Sequence, residues 1–157
     1  MKSLDSWSPK VLSLLRIVAG LCFMEHGLQK MLGFPPKPPP PPAPVMDAAA
    51  AAAAAAKAAA AKAAAAAPSL AATLGPMSGP IELIGGFLIL IGLFSRAAAF
   101  ICSGQMAFAY FLAHAPRGPY PVNNGGDAAI LYCFIFFYLV FSGPGPISLD
   151  ALMKKKV

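Results

Sequence analysis

The stretch VLSLLRIVAGLCFMEHGLQKMLGF, Val11 to Phe34, decides how this chain is read. Val11 to Met24 is apolar or small except for Ser13 and Arg16, and the same helical register then carries Glu25, His26, Gln29 and Lys30. At ~1.5 Å per residue, Val11 to Leu32 covers ~33 Å, about the thickness of a bilayer's hydrocarbon core. Ionisable side chains on such a helix must face protein or a wet cavity, because lipid exposure is expensive. At ~100° per residue, Arg16, Ala19, Phe23, His26 and Lys30 share one stripe, with Cys22, Glu25 and Gln29 in a second stripe beside it. Glu25 stands ~21 Å from Val11, so the polar cluster belongs to the far third of a membrane.

The composition agrees with a membrane setting. The 157 residues are 58% hydrophobic and only 11% charged, too apolar for a soluble domain of this size. One membrane domain over residues 1–157 is the expected outcome. Part of the formal charge of +6 comes from Lys154-Lys155-Lys156. In so apolar a chain the basic residues read as topological and lipid-facing, not as nucleic-acid binding. Cys22, Cys102 and Cys133 are dispersed with no Cys-x-x-Cys pair, which fits buried small residues and disfavours disulfide exchange. Lys2 and Lys10 ahead of an apolar run imitate a signal peptide. Arg16 interrupts that run and no small-x-small site follows, so the segment reads as a retained anchor.

Further along, Pro35 stops the first helix, and residues 35–44 predict an extended polyproline strut. Asp47 is placed to cap a helix over Ala48 to Ala67, alanine throughout except Lys57 and Lys62, with Pro68 as its stop. Alanine gives little drive to insert and two lysines oppose it, so this reads as a spacer outside or on the membrane. The second apolar block is Pro80 to Phe94, with Pro80 at a first helical position and Glu82 as its one charge. Gly85 and Gly86 invite close approach of another helix. This block is short, ~21 Å from Ile81 to Phe94. Ser95-Arg96 reads as a connection. The third block, Ala97 to Ala113, places Ser103, Tyr110 and His114 on one face and Gln105 opposite His114. Ala115 to Asp127 is rich in turn residues, Ala128 to Ser142 is the fourth block, and Gly143-Pro-Gly-Pro146 ends it. Ser148 can cap a short surface helix through Leu152.

The predicted fold is all-α, an integral-membrane four-helix bundle with a Pro/Ala-rich low-complexity insertion, 35–74, between its first and second helices. Lys2, Lys10, Arg96 and Lys154 to Lys156 fall on one side, against Lys37, Lys57, Lys62 and Arg117 on the other. That bias places both termini in the cytoplasm. Glu25, His26, Gln29 and Lys30 then meet Glu82, Tyr110, His114 and Asp127 in the outer half, with Gln105 deeper in the third helix. Arg16 is left in the inner half, where its side chain could snorkel inward.

LLRIVAG…EHGLQKMLGF, GPIELIGGFLILIGLFSRAAAF, GQMAFAYFLAHAPRGPYPVNNGGD and GPGPISLDAL, in that order, resemble the bacterial DoxX family. The resemblance covers almost everything except residues 35–74. Family members often carry Glu at the positions of Gln105 and Asp127; the first difference removes a possible proton carrier, the second shortens the arm. The resemblance implies a four-helix inner-membrane protein tied to respiratory or redox systems. Some relatives resemble the small subunit of a thiosulfate:quinone oxidoreductase, and others are associated with complexes handling oxidative and thiol stress. It implies no established catalytic residues.

Two readings of the polar cluster compete. In one, it locks the helices together, with Glu25 or Glu82 paired to Lys30 or His26. In the other, it lines a small-molecule or quinone pocket, where His26, Tyr110 or His114 bonds a quinone carbonyl and a carboxylate exchanges protons. A metal site on His26, His114 and a carboxylate lacks a dense ligand motif, and no metal is expected. No haem, flavin or nucleotide signature is present, so quinone is the one cofactor considered and any redox centre belongs to a partner protein. Membrane lipids, redox partners and a second copy of the chain are the expected partners. A non-catalytic scaffold is the contrasting function. A small-solute transporter is disfavoured by an inner half that is apolar apart from Arg16. Glu82 is expected to pair with the His26/Lys30 stripe, and Asp150 reads as an exposed reference charge.

Overall fold

The computed structural model describes residues 2–39, 47–66 and 70–154. Among them every regular element is helical. These are α1 (Lys2–Asp5), α2 (Ser8–Leu32), α3 (Ala48–Ala66), α4 (Leu70–Pro80), a π-helical turn (Ile81–Gly85) and α5 (Gly86–Ile91). They continue as α6 (Ser95–Ala109), a second π-helical turn (Tyr110–His114), a 3-10 turn (Ala115–Arg117), α7 (Pro121–Asn124), α8 (Asp127–Ser142) and α9 (Leu149–Lys154). Ser8–Leu32 and the continuous helical run Ser95–Arg117 are long and apolar enough to cross a membrane. Gly75–Ile91 and Asp127–Ser142 are shorter apolar helices. Leu14, Val18, Phe100, Phe108, Phe134 and Phe141 are exposed along these rods, an apolar surface that suits lipid and not water.

The helices pair antiparallel. Gly20 faces Leu90 and Gly27 faces Leu83, while Ser103 meets Cys133 and Arg96 meets Val140. Backbones approach closely at the first pair: a Cβ on Gly20 would lie 2.6 Å from the Leu90 nitrogen, and one on Gly86 2.7 Å from the Met24 nitrogen. Phe23, Ile89, Cys102, Phe136 and Leu139 fill the interior. The Asp47 carboxylate accepts a bond from the Ala50 N–H at 2.7 Å and caps α3, whose residues 48–60 are exposed. The strut foreseen over 35–44 lies outside the described residues from Pro40 onward, as does the stop at Pro68.

Two boundaries differ from expectation. Pro80 does not open a helix, because α4 already runs from Leu70 through Pro76 and Pro80. Pro80 has no N–H to return to the preceding turn, and the hydrogen-bond ladder widens to the i→i+5 spacing over Ile81–Gly85. The missing length of the second block is therefore recovered on its N-terminal side. Ser95 and Arg96 are the first turn of α6 and not a connection. The reversal is tighter, made by Gly92 at φ 72° and Phe94 at φ 49°.

Arg16 corrects a third expectation. It does not snorkel; it is 1% exposed. Its Nη1 donates to the carbonyls of Ile89 at 2.5 Å and Leu90 at 2.6 Å, its Nη2 to Ile147 at 2.5 Å, and its Nε to Pro144 at 3.0 Å. Those of Ile89 and Leu90 belong to the last turn of α5, where carbonyls lack regular helical partners and carry the negative end of the helix dipole. Ser13 Oγ accepts from the Ile147 N–H at 3.1 Å. Arg96 Nη1 holds the Val140 and Phe141 carbonyls at the end of α8, the second at 2.8 Å.

Asp150 is likewise no idle charge. Its two carboxylate oxygens accept from the N–H groups of Phe94 and Ser95, each at 2.9 Å, and so cap α6 from a distant segment. Ser148 caps α9 as foreseen, accepting from the Ala151 N–H at 3.2 Å. The end of the molecule that holds Arg16 is thus a polar web, not an apolar plug.

Arg16→Met is expected to destabilise the detergent-solubilised protein by ~3 kcal/mol or more, since several buried carbonyls lose a charged donor together. A denaturation midpoint within error of wild type would remove Arg16 from this role. Asp150 gives a pH signature. Burial pushes its carboxyl up, but the N–H groups of Ser95 and Phe94 and the charge of Lys154 outweigh this and hold it below its ordinary value. A depressed folded-state value stabilises the fold above the unfolded pKa of about 3.9, and the gain is lost as pH falls through the folded value. Melting temperature should therefore fall on acidification below about pH 4, and Asp150→Asn should start lower and respond less to acid in that range.

Candidate functional site

At the opposite end from Arg16, α2, α4, the first π turn, α6, the second π turn and α8 line a cavity of about 420 Å³. Its polar wall is a chain of contacts across four elements, α2, α4, the first π turn and α6. Lys30, in the last turn of α2, places Nζ 2.6 Å from Glu82 Oε1 and 3.1 Å from Ser78 Oγ. Gln105 of α6 donates from Nε2 to the same Glu82 oxygen at 3.0 Å. The two charges are unequally placed: the Glu82 side chain is 3% exposed and that of Lys30 46%. Glu82 Oε2 and Gln105 Oε1 are buried without a hydrogen-bond partner among the described residues.

The floor is aromatic. Phe23 meets Phe136 edge-on at 4.8 Å, Tyr132 stacks over Phe136 at 5.7 Å, and His26 stands edge-on to Tyr132 at 6.3 Å. His114 closes the wall beside α8. Its Nδ1 lies 3.2 Å from the Asn124 carbonyl, and Tyr110 stacks behind it at 6.5 Å. Asn124 organises that corner: its side chain donates to Gly118 O and accepts from the Gly126 N–H, each at 2.8 Å.

Of the residues singled out from sequence, His26, Lys30, Glu82, Gln105 and His114 line the cavity. Tyr110 supports His114 from outside it. Glu25 and Asp127 are exposed and do not line the cavity, and Gln29 turns away to donate to Pro35 O at 3.1 Å. Glu25 and Asp127 thus stand at the same end of the molecule, each beside a lining residue, His26 and Ala128, but outside the cavity wall. Helical periodicity explains Glu25 and Gln29, which sit on the second stripe of α2 and face away from Glu82. Asp127 opens α8, where a carboxylate favours the helix dipole. Gln105 and His114, expected on opposite faces, come to one cavity because the π turn at Tyr110–His114 rotates less per residue than an α-helix.

Ser78, Tyr132 and Asn124 were not foreseen. Tyr132 lies in a uniformly apolar block that shows no preferred face, and Asn124 in a loop whose residues all favour turns. The described residues hold no group of three or more His, Cys, Asp or Glu placed to bind a metal ion.

The family model DoxX matches residues 11–115, two thirds of the chain. The chain belongs to the DoxX family. It is 36% identical over 159 residues to an uncharacterised protein of Haemophilus influenzae, covering 99% of this chain and all of that relative. A second uncharacterised protein of the same organism is 32% identical over 74 residues, covering 47% of this chain and 49% of its own length. No solved structure matches. Membership makes this DoxX chain a membrane-associated protein, in keeping with its two long apolar helices.

The Lys30–Glu82 pair is open to a double-mutant cycle. Glu82→Gln, Lys30→Met and the double variant should give a coupling of about 1–3 kcal/mol in detergent unfolding, between the values for exposed and for fully buried pairs. Glu82→Gln should be the more damaging single change. A coupling near zero would show that the pair does not hold the two elements together.

Proposed function

We propose that this DoxX protein is a four-helix, multi-pass protein of the bacterial inner membrane that binds quinone as a small subunit or accessory of a respiratory or redox complex. Residues 1–157 form a single domain in this reading, with 35–74 a low-complexity spacer on the outer side and both termini cytoplasmic. The lysine and arginine distribution supports that orientation. The exposed apolar belt and the antiparallel order of the helices support four crossings, the two shorter helices being lengthened by the turns that flank them.

One observation carries the quinone reading: a cavity of about 420 Å³ that sets a buried carboxylate, an amide and two histidines above an aromatic floor. Ring-sized ligands are held by such a combination of apolar walls and a few placed polar groups. His26 and the spare N–H of Lys30 offer donors to a carbonyl, and the Lys30–Glu82 pair offers a proton exchange group near the mouth. The chain supplies no redox centre in this proposal, so electrons pass through a partner.

The scaffold reading is favoured by a different fact, that Ser78, Lys30, Glu82 and Gln105 tie four elements together. Transport is less well supported, since the end holding Arg16 is closed by the Gly143–Ser148 segment.

Purification in mild detergent followed by mass spectrometry of extracted lipids separates the two readings. Isoprenoid quinone should co-purify near one per chain with wild type and fall at least about tenfold in Glu82→Gln, the loss of one charged hydrogen bond. Co-purified partner proteins with quinone no higher than in a control membrane protein would favour the scaffold.

A further inference from the structure

We infer that an apolar groove beside the cavity is the tail site of the same ligand: an isoprenoid chain leaves the cavity past Ser78, Gln105 and Phe108 and lies along α6 over Gly104. The inference rests on the reading of the cavity as a quinone site and adds where the rest of that molecule goes. The groove measures about 580 Å³ and borders on the cavity through those three residues, which line both spaces. Beyond them its wall is apolar, carried by α6 together with Met77, Ile81 and Phe137. Ser103, the other polar residue on it, already donates to the Cys133 carbonyl at 2.9 Å.

Gly104 is the independent observation. At Gly20, Gly27 and Gly86 a neighbouring backbone occupies the room that the missing side chain leaves. At Gly104, in the middle of α6, a Cβ would meet nothing within 4 Å. Glycine inside a helix is destabilising relative to alanine, and here no other element uses the space it opens. That space belongs to the groove.

The other sides of the cavity offer a chain no comparable way out. Buried Phe23 and Phe136 pack the floor, the Lys30 ammonium stands at the mouth, and Asn124 ties down the corner at His114. The direction of the groove suits a membrane amphiphile. From Phe108 back to Phe100, α6 runs ~12 Å away from the cavity end and toward the level of Arg16. A head in the cavity then lies near the polar surface, with its tail directed into the bilayer. Lipid tails are as apolar as the groove, so escape from water contributes nothing to holding the chain there. Packing against the rings of Phe100, Phe108 and Phe137 does, helped by attachment to a head already bound, which makes the second contact intramolecular.

The test uses the full chain in nanodiscs of dioleoyl phosphatidylcholine. A farnesyl-substituted benzoquinone with a diazirine in its tail is photolysed, and the labelled residues are mapped by mass spectrometry. Label should fall on α6 between Phe100 and Phe108 and on Met77 or Ile81, and excess unlabelled farnesyl benzoquinone should reduce it at least about tenfold. Displaceable label on other helices leaves a quinone site in place and overturns the tail path. Groove label that unlabelled quinone does not displace marks a surface open to any lipid chain, and overturns it too. Gly104→Leu fills the groove where the structure leaves room. Affinities are then read in detergent from the rise in melting temperature with ligand concentration. The variant should bind farnesyl benzoquinone at least about fivefold more weakly and a tail-less benzoquinone within about twofold of wild type. Ala97→Leu, exposed on α6 outside the groove, should change neither. An unchanged farnesyl affinity in Gly104→Leu, or an equal loss for both compounds, overturns the tail site. Saturable binding of neither compound by wild type removes the quinone reading and this inference together.

Discussion

A single guanidinium sets the frame of this molecule. A cation buried at the level of Arg16 needs all its N–H groups satisfied, and the usual solution is a carboxylate partner. Here the partners are backbone carbonyls, two from the end of α5 and two from the segment after α8. Each side removes the other's difficulty. The last carbonyls of α5 lack i→i+4 donors, Ile89 O taking only the tighter bond from Gly92 N–H at 3.1 Å, and the guanidinium offers a planar fork of donors. The dipole of α5 adds a negative end directed at the cation. Asp150 performs the complementary task a few residues away, giving acceptors to the first N–H groups of α6. The reversal between α5 and α6 is therefore held from both sides by residues 144–150. That segment lies beyond the residues matched by the family model, yet the fold closes through it.

From that fixed end, close packing carries position to the other. Gly20 and Gly86 let the backbones of α2 and α5 touch, so neither helix can rotate or slide without a clash. Glu82 is thereby held on the face toward α2 and α6, and it is the long, half-exposed Lys30 that adjusts to reach it. An acid that is almost wholly buried and a base that is half in solvent make an asymmetric pair. The negative group is fixed, and the positive one stands at the mouth, where a ligand or proton would pass.

How much of this was legible in the residues depends on what kind of partner each group has. The apolar blocks, the glycine contact and the cap at Ser148 could be read, because periodicity and local spacing record them directly. The Lys30–Glu82 pair could also be read, since two opposite charges at equal depth have few other partners. Arg16 could not. Its partners are carbonyls, which every residue carries, so no side-chain pattern marks them. Asp150 was hidden for the same reason, its partners being two backbone N–H groups. Glu25 has the depth of the cavity but sits on the second stripe of α2, and it is that stripe, legible from periodicity, that keeps it off the wall.

The cavity itself depends on departures from regular helix. In an unbroken α-helix Gln105 and His114 lie nine residues and half a turn apart, and no single pocket can be lined by both. The turn at Tyr110–His114 has the i→i+5 spacing and ends two residues before Pro116; the turn at Ile81–Gly85 has it and follows Pro80. Each proline removes an N–H from the ladder, and the neighbouring turn widens instead of breaking. One wide turn carries Glu82 and the other carries His114. The prolines, which in a soluble helix would signal a boundary, here supply the local rotation that brings an acid, an amide and an imidazole to one space. A disturbed ladder can persist inside an apolar helix where local 3-10 and π adjustments satisfy the freed backbone groups again. The polar cavity and the prolines beside it are thus one construction, and a strictly regular pair of helices would have closed it.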